Sequence, residues 1–347
     1  MPLTQYFVGI DLHKSVLQLC VLDAEGGIVC QERRRISSLE DGLKVVASLG
    51  RWSSARMAVE AVGLNRWFVN ACHQSGYDLI VVDAGRLNLK ALGKKTDRRD
   101  ALEIARRLRM GDLAHAKTYY PSDDEYSVRQ LERIRHDLVG QRTHLGNRIG
   151  SLLAAYKLPR PRGAMYTRPS LAFLKTIHFP ADDLDRCLKA LASTLAGVQE
   201  SVVQLTKRIE ERAREPKVAA LQSMVPQVGP QTALTLVYEL GDVARFKNAR
   251  AAASYSGLVP RVANSADVSH HGRITKRGNV ELRWILNQCA VRLIATHHLV
   301  RKWAEPRLKR MHKNKVRTAL ARRLLVAIYS VLRNGEVFSM ERCLGMA

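Results

Sequence analysis

Residues 6–14 read YFVGIDLHK, a run of strand-forming residues that ends on one acidic side chain, Asp11. A buried carboxylate is costly unless a cation meets it. Glu60 closes a second apolar strand, MAVE, and Asp97 and Asp100 lie three residues apart where a helix begins, so both point to one side. Four crowded oxygen donors repel each other unless Mg²⁺ or Mn²⁺ holds them. The sequence therefore predicts a divalent metal site of the kind that two-metal phosphoryl-transfer enzymes use.

Each of these acids also has a purely structural interpretation. Asp11 would cap a turn, Glu60 would pair with a nearby arginine, and Asp97 would be the N-cap of its helix. Asp83, at the end of a further strand, competes for a place in the set. The shared site is favoured because two of the acids lie at strand ends and two at a helix start, positions that one edge of a sheet brings together.

The chain is strongly basic. Its 347 residues contain 56 Lys and Arg against 32 Asp and Glu, a net charge of +24, which predicts a nucleic-acid partner. A basic membrane-surface protein is the alternative, but no apolar stretch of about 18 residues occurs and MPLTQYFVGID lacks the features of a signal peptide. The six cysteines include no Cys-x-x-Cys pair. These features predict a cytoplasmic protein with reduced thiols and without a zinc site or a disulfide framework.

The order of strand and helix signals predicts an α/β domain over residues 1–118. Residues 6–37 have the pattern of a three-stranded meander. Strand and helix signals then alternate: helix 39–49, strand 56–60, helix 64–75, strand 78–83 and helix 97–110. This order is that of the mixed sheet of RuvC-like (ribonuclease-H-like) domains. It also opens the actin-like ATPases, so topology alone does not decide the function.

Residues 119–215 predict a coiled-coil helical hairpin. Ser122 and Glu125 form a capping box at the start of its first helix. In the second helix, apolar residues from Leu184 to Ile209 recur in alternating steps of four and three over more than three heptads. This pattern favours a role in oligomerisation. Two helices that pack only on each other within one chain are the alternative.

Residues 216–347 predict a separate, mainly helical domain. In VPQVGPQTA, Gly229 lies in a turn before a helix, where backbone N–H groups can bind a phosphate, although a helix packing corner explains it equally well. Residues 254–286 are rich in Gly, Ser, Asn and basic residues and predict a long irregular loop, which is usually functional. Residues 301–323 carry ten Lys or Arg against one acid, which favours nucleic-acid contact over a merely solvated face.

The predicted loop contains four candidate nucleophiles: Ser254, Ser256, Ser265 and Ser269. A hydroxyl attacks phosphorus only if its proton is removed and the developing charge is neutralised. Ser265 lies among cations that can hold a phosphate: Arg261, Arg273, Lys276 and Arg277. The residues alone do not choose among the four serines, and loop serines that make turn hydrogen bonds are the structural interpretation.

Two sets of motifs resemble a known family. GIDLHK with Asp11, AVEAVG with Glu60, and TDRRDA with Asp97 and Asp100 resemble the DEDD tetrad of one group of bacterial insertion-sequence transposases, which includes the Piv-type DNA invertases. VPQVGPQTA, then RF followed by YSGLVP, then GRITKRGNVELR resemble the C-terminal transposase domain of that group, in the same order. The resemblance runs nearly end to end.

The resemblance implies a recombinase that excises and inserts its element through a circular intermediate. A RuvC-like domain whose tetrad binds divalent metal and a C-terminal transposase domain would be joined by a coiled coil. A non-coding bridge RNA would pair with target and donor DNA. The serine after GL-x-P, which carries over to Ser265, would attack the DNA backbone and form a phosphoserine link. Ala266 replaces the glycine usual after it and constrains the backbone where DNA approaches.

The resemblance also implies a homo-oligomer, a dimer that assembles to a tetramer in which one protomer's tetrad faces another's serine. The metal would polarise the scissile phosphate and help to deprotonate the serine. The candidate nucleic-acid contacts are Lys94, Lys95, Arg98, Gly229, Arg261, Arg273, Lys276, Arg277, Lys313, Lys315 and Arg317. A RuvC-like junction-resolving endonuclease, which uses water and no covalent intermediate, is the main alternative. A non-catalytic scaffold is another, and an actin-like ATPase would need phosphate loops rich in glycine, which DLHKSVLQ lacks.

Overall fold

The chain forms two compact units, Met1–Tyr120 and Pro121–Ala347. The computed structural model describes residues 6–61, 63, 65–87, 96–265, 268–275 and 278–346, without the side chains of residues 84, 87 and 261–273. The first unit is α/β and the second is mainly helical, as predicted, whereas the finer division into three domains stays a prediction. No helix among the described residues is long and apolar enough to cross a membrane.

The N-terminal unit is built on a five-stranded mixed sheet in the order β3-β2-β1-β4-β5. Its strands are β1 Phe7–Leu12, β2 Val16–Leu22, β3 Ile28–Arg35, β4 Arg56–Glu60 and β5 Asp78–Val82. Antiparallel pairing of β1 with β2 and of β2 with β3 confirms the predicted meander. β4 pairs parallel with β1, and β5 with β4, so β1, β4 and β5 end at the same edge of the sheet.

Helices cover both faces of this sheet. They are α1 Leu39–Ser48, α2 Arg66–Gln74, α3 Ala84–Leu87 and α4 Asp97–Arg109. Because strand residues alternate between faces, Val8 and Ile10 pack in one core with α1 and α2, while Phe7 packs in another with α4. The mixed sheet with helices on both faces is consistent with a ribonuclease-H-like domain.

One glycine lets α4 lie directly on the sheet. A Cβ added to Gly9 would lie 2.1 Å from the carbonyl oxygen of Ala101 and 2.5 Å from the backbone nitrogen of Ala105. The backbone of α4 therefore rests on β1 with no side chain between them. Asp11 follows two residues later on the same face of the strand, which directs it towards the start of α4.

Two long antiparallel helices begin the second unit. They are α5 Asp123–Ala155 and α7 Asp182–Arg212, with the short α6 Arg168–Leu174 between them. Arg135 Nε donates to Thr206 Oγ1 at 2.7 Å, and Arg142 Nη1 donates to Gln199 Oε1 at 2.8 Å. The predicted capping box at the start of α5 is confirmed, since Ser122 and Glu125 each accept a hydrogen bond from the other's backbone N–H.

The heptad spacing of α7 buries one stripe of the helix. Its buried residues are Leu188, Leu195, Val202 and Ile209, seven residues apart. Leu188 and Leu195 pack with Ile149 and Leu153 of α5 in a separate small core. The pairing that the structure shows is therefore intramolecular, and a coiled coil is not confirmed.

The rest of the second unit packs into one large helical core that includes the base of the α5–α7 hairpin. Its elements are α8 Pro216–Met224, α9 Pro230–Leu240, α10 Ala249–Tyr255, β6 Pro260–Ser265, β7 Val268–Ile274, α11 Val280–Thr296, α12 His298–Leu308, α13 Lys313–Asn334 and α14 Met340–Leu344. The prediction of a long irregular loop is wrong, because β6 and β7 within it pair as antiparallel strands. A two-stranded ribbon is held together by backbone hydrogen bonds and needs few apolar residues. This stretch can therefore have the composition of a loop and still form strands.

Candidate active site

Asp11 lies buried at the carboxyl end of β1, only 2 % exposed. It shares the α4 face of the sheet with Phe7 and Gly9. The Nε2 atom of His13 lies 3.2 Å from Oδ2 of Asp11 and 3.4 Å from Oδ1 of Asp97. His13 thus joins two of the predicted acids, and sequence reasoning did not single it out.

The first turn of α4 presents Asp97 and Asp100 on one side of the helix. Thr96 caps the helix, with its Oγ1 accepting from the backbone N–H of Arg99, so the interpretation of Asp97 as the N-cap is wrong. Asp100 is buried at 6 % exposure, while the side chain of Asp97 is 44 % exposed. Two acids also offset the positive end of the helix dipole, but that role does not require one of them to be buried.

The pKa of Asp11 reflects its burial and the charged side chains near it. Burial raises the pKa of Asp11, the adjacent His13 opposes the rise, and the carboxylates of Asp97 and Asp100 add to it. A carboxylate held in this state favours either a proton or a cation. A divalent ion held between these side chains would offset the repulsion among their carboxylates.

Glu60 ends the neighbouring parallel strand. Ile10 pairs with Val59, so Asp11 and Glu60 are the next residues of the two strands at the shared edge. Glu60 lies on the same face as Ala58, which packs with α4. Its half-buried side chain is not among those whose ligand atoms cluster with Asp11. The competitor Asp83 accepts from the backbone N–H of Gly85 at 2.8 Å and pairs with Arg86, which gives it a structural role.

A divalent cation fits this group of side chains. Each of three side chains offers one ligand atom, and these atoms lie within 4.8 Å of one another: Asp11, His13 and Asp97. Two carboxylates and an imidazole suit a first-row divalent ion, and carboxylates alone suit Mg²⁺. The described residues thus bring Asp11, Asp97 and His13 to ligand distance, with Asp100 and Glu60 at the same edge.

The β6–β7 hairpin carries two of the four candidate serines. Ser265 is the last residue of β6 and pairs with Val268, the first residue of β7. The side chains of Ser265 and Ser269 are outside the described part of the structure. Ser256 is fully buried, and its hydroxyl donates to the carbonyl of Ala253 at 2.8 Å. That geometry makes Ser256 a structural serine, whereas Ser254 on α10 is exposed.

Gly278 and Asn279, which follow β7, hold the chain close against the end of α10. Gly278 has φ of +117°, and a Cβ there would lie 2.3 Å from the carbonyl oxygen of Tyr255. The backbone N–H of Asn279 donates to that same carbonyl at 2.8 Å, and its side chain caps α11 by accepting from Leu282. Only glycine allows the chain to return to α10 this closely.

The structure describes only some of the predicted nucleic-acid contacts. Outside the described residues lie Lys94, Lys95, Lys276 and Arg277, and the side chains of Arg261 and Arg273. Ala266, which follows the candidate serine, also lies outside them. Arg98 is exposed on the first turn of α4. Gly229 begins α9 as its N-cap without a side-chain hydrogen bond, which matches the predicted turn before a helix.

The basic stretch 301–323 spans the end of α12 and the start of α13. Lys313 and Lys315 are exposed, and Arg317 is half-buried. No acidic side chain among the described residues forms an ion pair with any of the ten cations in this stretch. A solvated helix normally balances its charges, so this surface retains a strong positive field.

Models of protein families match two parts of the chain. Residues 8–158 match the DEDD-domain model of the IS110 transposases, described as "Transposase", and residues 219–306 match the model described as "Transposase IS116/IS110/IS902 family". The chain belongs to this transposase family. The first match contains all four predicted acids, and the second contains Gly229 and all four serines.

Relatives that match over nearly their whole length agree with this family. The chain is 27 % identical to the transposase for insertion sequence element IS1111A of Coxiella burnetii, over 95 % of this chain and 90 % of the relative. It is 25 % identical to the transposase for IS1328 of Yersinia enterocolitica, over 96 % and 98 %. A pilin gene-inverting protein of Moraxella bovis is 24 % identical, over 97 % and 98 %.

A buried polar network joins α5 and α9 to the N-cap of α11. Glu239 on α9 is fully buried and accepts three hydrogen bonds of 2.8–3.0 Å from the guanidinium of Arg133 on α5. Asn279 Nδ2 donates to the same carboxylate at 2.6 Å. The network therefore ties α5 and α9 to the residue that begins α11, directly after the hairpin.

Glu132 on α5, a buried carboxyl near Glu239, gives a testable pH dependence. It is 4 % exposed, and burial, with the nearby Glu239 and Glu281, raises its pKa from 4.5 to about 8, although Thr235 donates to it. The native state keeps a proton that the unfolded state loses, so stability falls as the pH rises from 4.5 to about 8. Glu132→Gln is expected to lessen that loss by up to about 5 kcal/mol, measured by urea denaturation across this range.

The exposed Glu211, which pairs with Arg208 on α7, provides the control. Glu211→Gln is expected to leave the slope of stability against pH as in the unmodified protein. Equal slopes for Glu132→Gln and the unmodified protein would show that Glu132 is ionised in the folded state across the whole range.

Proposed function

We propose that this protein is the DNA transposase of an insertion sequence that cuts and rejoins DNA by metal-dependent phosphoryl transfer, with Ser265 forming a covalent phosphoserine link. The observation that carries the proposal is the buried carboxylate of Asp11, which meets Asp97 and His13 at one edge of the sheet. Family membership supports action on DNA. The relative named for pilin gene inversion supports recombination.

The chemistry assigned to the chain's own residues is one displacement at phosphorus. The Ser265 Oγ–P bond forms, the backbone P–O bond breaks, and the departing deoxyribose oxygen takes up a proton as the serine hydroxyl loses one. Asp11, Glu60, Asp97 and Asp100 would hold Mg²⁺ or Mn²⁺. When bound, such an ion supplies charge neutralisation at the phosphate oxygens. Arg261 and Arg273, on the strands of the serine hairpin, would hold the phosphate.

In this proposal, the protein consists of a RuvC-like domain, a helical hairpin that serves as the coiled coil, and the C-terminal domain. It forms dimers that assemble to a tetramer. In the tetramer, the acids of one protomer would serve the serine of another. A non-coding bridge RNA would choose target and donor DNA. The ten cations of residues 301–323, which have no ion pair among the described residues, support a second polyanion contact. Lys313, Lys315 and Arg317 would contribute to it, and Gly229 would offer backbone N–H groups.

The nucleophile is tested by trapping the covalent adduct. With labelled DNA that carries an element end, the unmodified protein is expected to give a protein–DNA band on a denaturing gel, and Ser265→Ala none. Ser256→Ala is expected to keep the adduct, because its hydroxyl is buried and donates to Ala253.

Two other outcomes decide between alternatives. An adduct that survives Ser265→Ala and disappears with Ser254→Ala or Ser256→Ala would move the nucleophile. Metal-dependent cleavage by the unmodified protein without any adduct would favour the junction-resolving endonuclease, since water would then be the attacking group.

A further inference from the structure

Asp11 is the first of three polar side chains that form a row across the sheet. Asp11 on β1 pairs with Gln18 on β2, and Gln18 pairs with Arg33 on β3. Paired residues of neighbouring antiparallel strands point to the same face. A carboxylate, an amide and a guanidinium therefore follow one another on the α4 face, with strands about 5 Å apart.

A pocket of about 420 Å³ opens on this row. It is lined by Gln18, Gln31, Arg33, Asp97 and Arg98. Arg98 Nε donates to Gln31 Oε1 at 2.6 Å, and Gln31 Nε2 donates to the carbonyl of Arg98 at 3.3 Å. This reciprocal pair ties the edge strand β3 to the first turn of α4 and so gives the pocket a fixed wall.

The pocket presents two guanidinium groups that form no ion pair with any acid in the described part of the chain. Arg33 has no ion pair among the described residues, whereas its neighbour Arg34, on the opposite face, pairs with Glu32 at 2.7 Å. The hydrogen bond to Gln31 uses only Nε of Arg98. Asp97, the one acid of the lining, faces His13. Two guanidinium groups with two amides suit a phosphate, which accepts several charge-assisted hydrogen bonds.

We propose that this pocket binds a DNA phosphate that flanks the reacting one, through Arg33, Arg98 and Gln18. This proposal rests on the proposed function, since the acids beside the row define which phosphate reacts. A strand that crosses β1, β2 and β3 would place one phosphate at Asp11 and a neighbouring one over Arg33. The pocket thereby fixes the direction in which the cut strand leaves the acids.

Binding without cleavage gives the first test. Full-length protein is titrated with a fluorescein-labelled duplex carrying one element end and its flank, with Ca²⁺ in place of the catalytic ion. Arg33→Gln is expected to lower the slope of log Kd against log salt by about one, the loss of one phosphate contact. Arg34→Gln is the matched control and is expected to keep the slope. An unchanged slope in Arg33→Gln overturns the proposal, whether or not the protein cleaves.

A neutral methylphosphonate locates the contact. Placed beside the scissile phosphate, it is expected to slow cleavage by the unmodified protein about ten-fold or more, as loss of a charge-assisted hydrogen bond does. In Arg33→Gln the same substitution is expected to cost nothing further, because its partner is gone. Equal sensitivity in both proteins at every flanking position overturns the proposal. Absence of cleavage with any DNA instead counts against the proposed function, and the salt slope still decides the pocket.

Discussion

Asp11→Asn is expected to abolish metal-dependent DNA cleavage, with a loss of at least about a thousand-fold, because it removes the buried carboxylate that lies next to Asp97 and His13 at the edge of the sheet. The amide keeps the shape of the side chain, so the sheet is expected to stay folded. In metal-free buffer the variant is expected to melt at the same temperature or higher, since Asp97 and Asp100 lose a charge that repels them. Cleavage of a labelled element-end duplex and thermal melting measure the two effects, and RNA binding is expected to stay nearly intact.

Asp78→Asn is the matched control, because Asp78 lies in the same sheet at the opposite, amino end of β5 and is exposed beside Arg56. It is expected to cleave at the unmodified rate. Full cleavage by Asp11→Asn in Mg²⁺ or Mn²⁺ would remove this site from the chemistry.

Gly9→Ala is expected to destabilise the N-terminal unit by about 3 kcal/mol, because the new methyl group would overlap the backbone of α4. A helix backbone cannot swing aside as a flexible side chain can, so α4 must move away from β1. That shift carries Asp97 and Asp100 away from Asp11. We expect cleavage to fall together with the melting temperature, and urea denaturation with a cleavage assay measures both.

Gly50→Ala separates this effect from the general cost of replacing glycine. A Cβ on Gly50 meets only the hydroxyl of Tyr77, at an ordinary contact distance of 3.4 Å. This variant is expected to keep both stability and cleavage. If Gly9→Ala behaves like Gly50→Ala, α4 does not rest on β1 as described.

The sheet and the place of the acids could be predicted because they follow from short-range patterns. Alternating apolar residues predict the strands, and parallel strands end at one edge, which brings Asp11 and Glu60 together. The charged first turn of α4 was recognisable as a helix start. These features need no knowledge of which strand pairs with which in exact register.

The features that depend on register were missed. His13 is close to Asp11 in sequence, but only the turn after β1 directs it to Asp97 as well. Gln18 and Arg33 are ordinary polar residues until pairing of β2 with β1 and β3 places them beside the acids. Glu239 on α9 is fully buried, although glutamate side chains are almost never fully buried unless they are paired. Such contacts join residues far apart in the chain, and no local pattern predicts them.

The choice among the four serines shows the same limit. The burial of Ser256 excludes it as a nucleophile, which composition could not do, and the backbone of Ser265 ends β6. The selection of Ser265 still rests on the resemblance and on the proposed adduct. The structure thus narrows the set that the sequence left open.

Manganese binding tests the central claim most directly. Crystals of the full-length protein soaked in Mn²⁺ are expected to show an anomalous scattering peak bonded to carboxylate oxygens of Asp11 and Asp97, at about 2.1 Å, the distance typical of a small divalent ion. The Asp11→Asn protein is expected to lack that peak. Mn²⁺ bound only to other carboxylates, with Asp11 and Asp97 apart from any ion, would contradict the account.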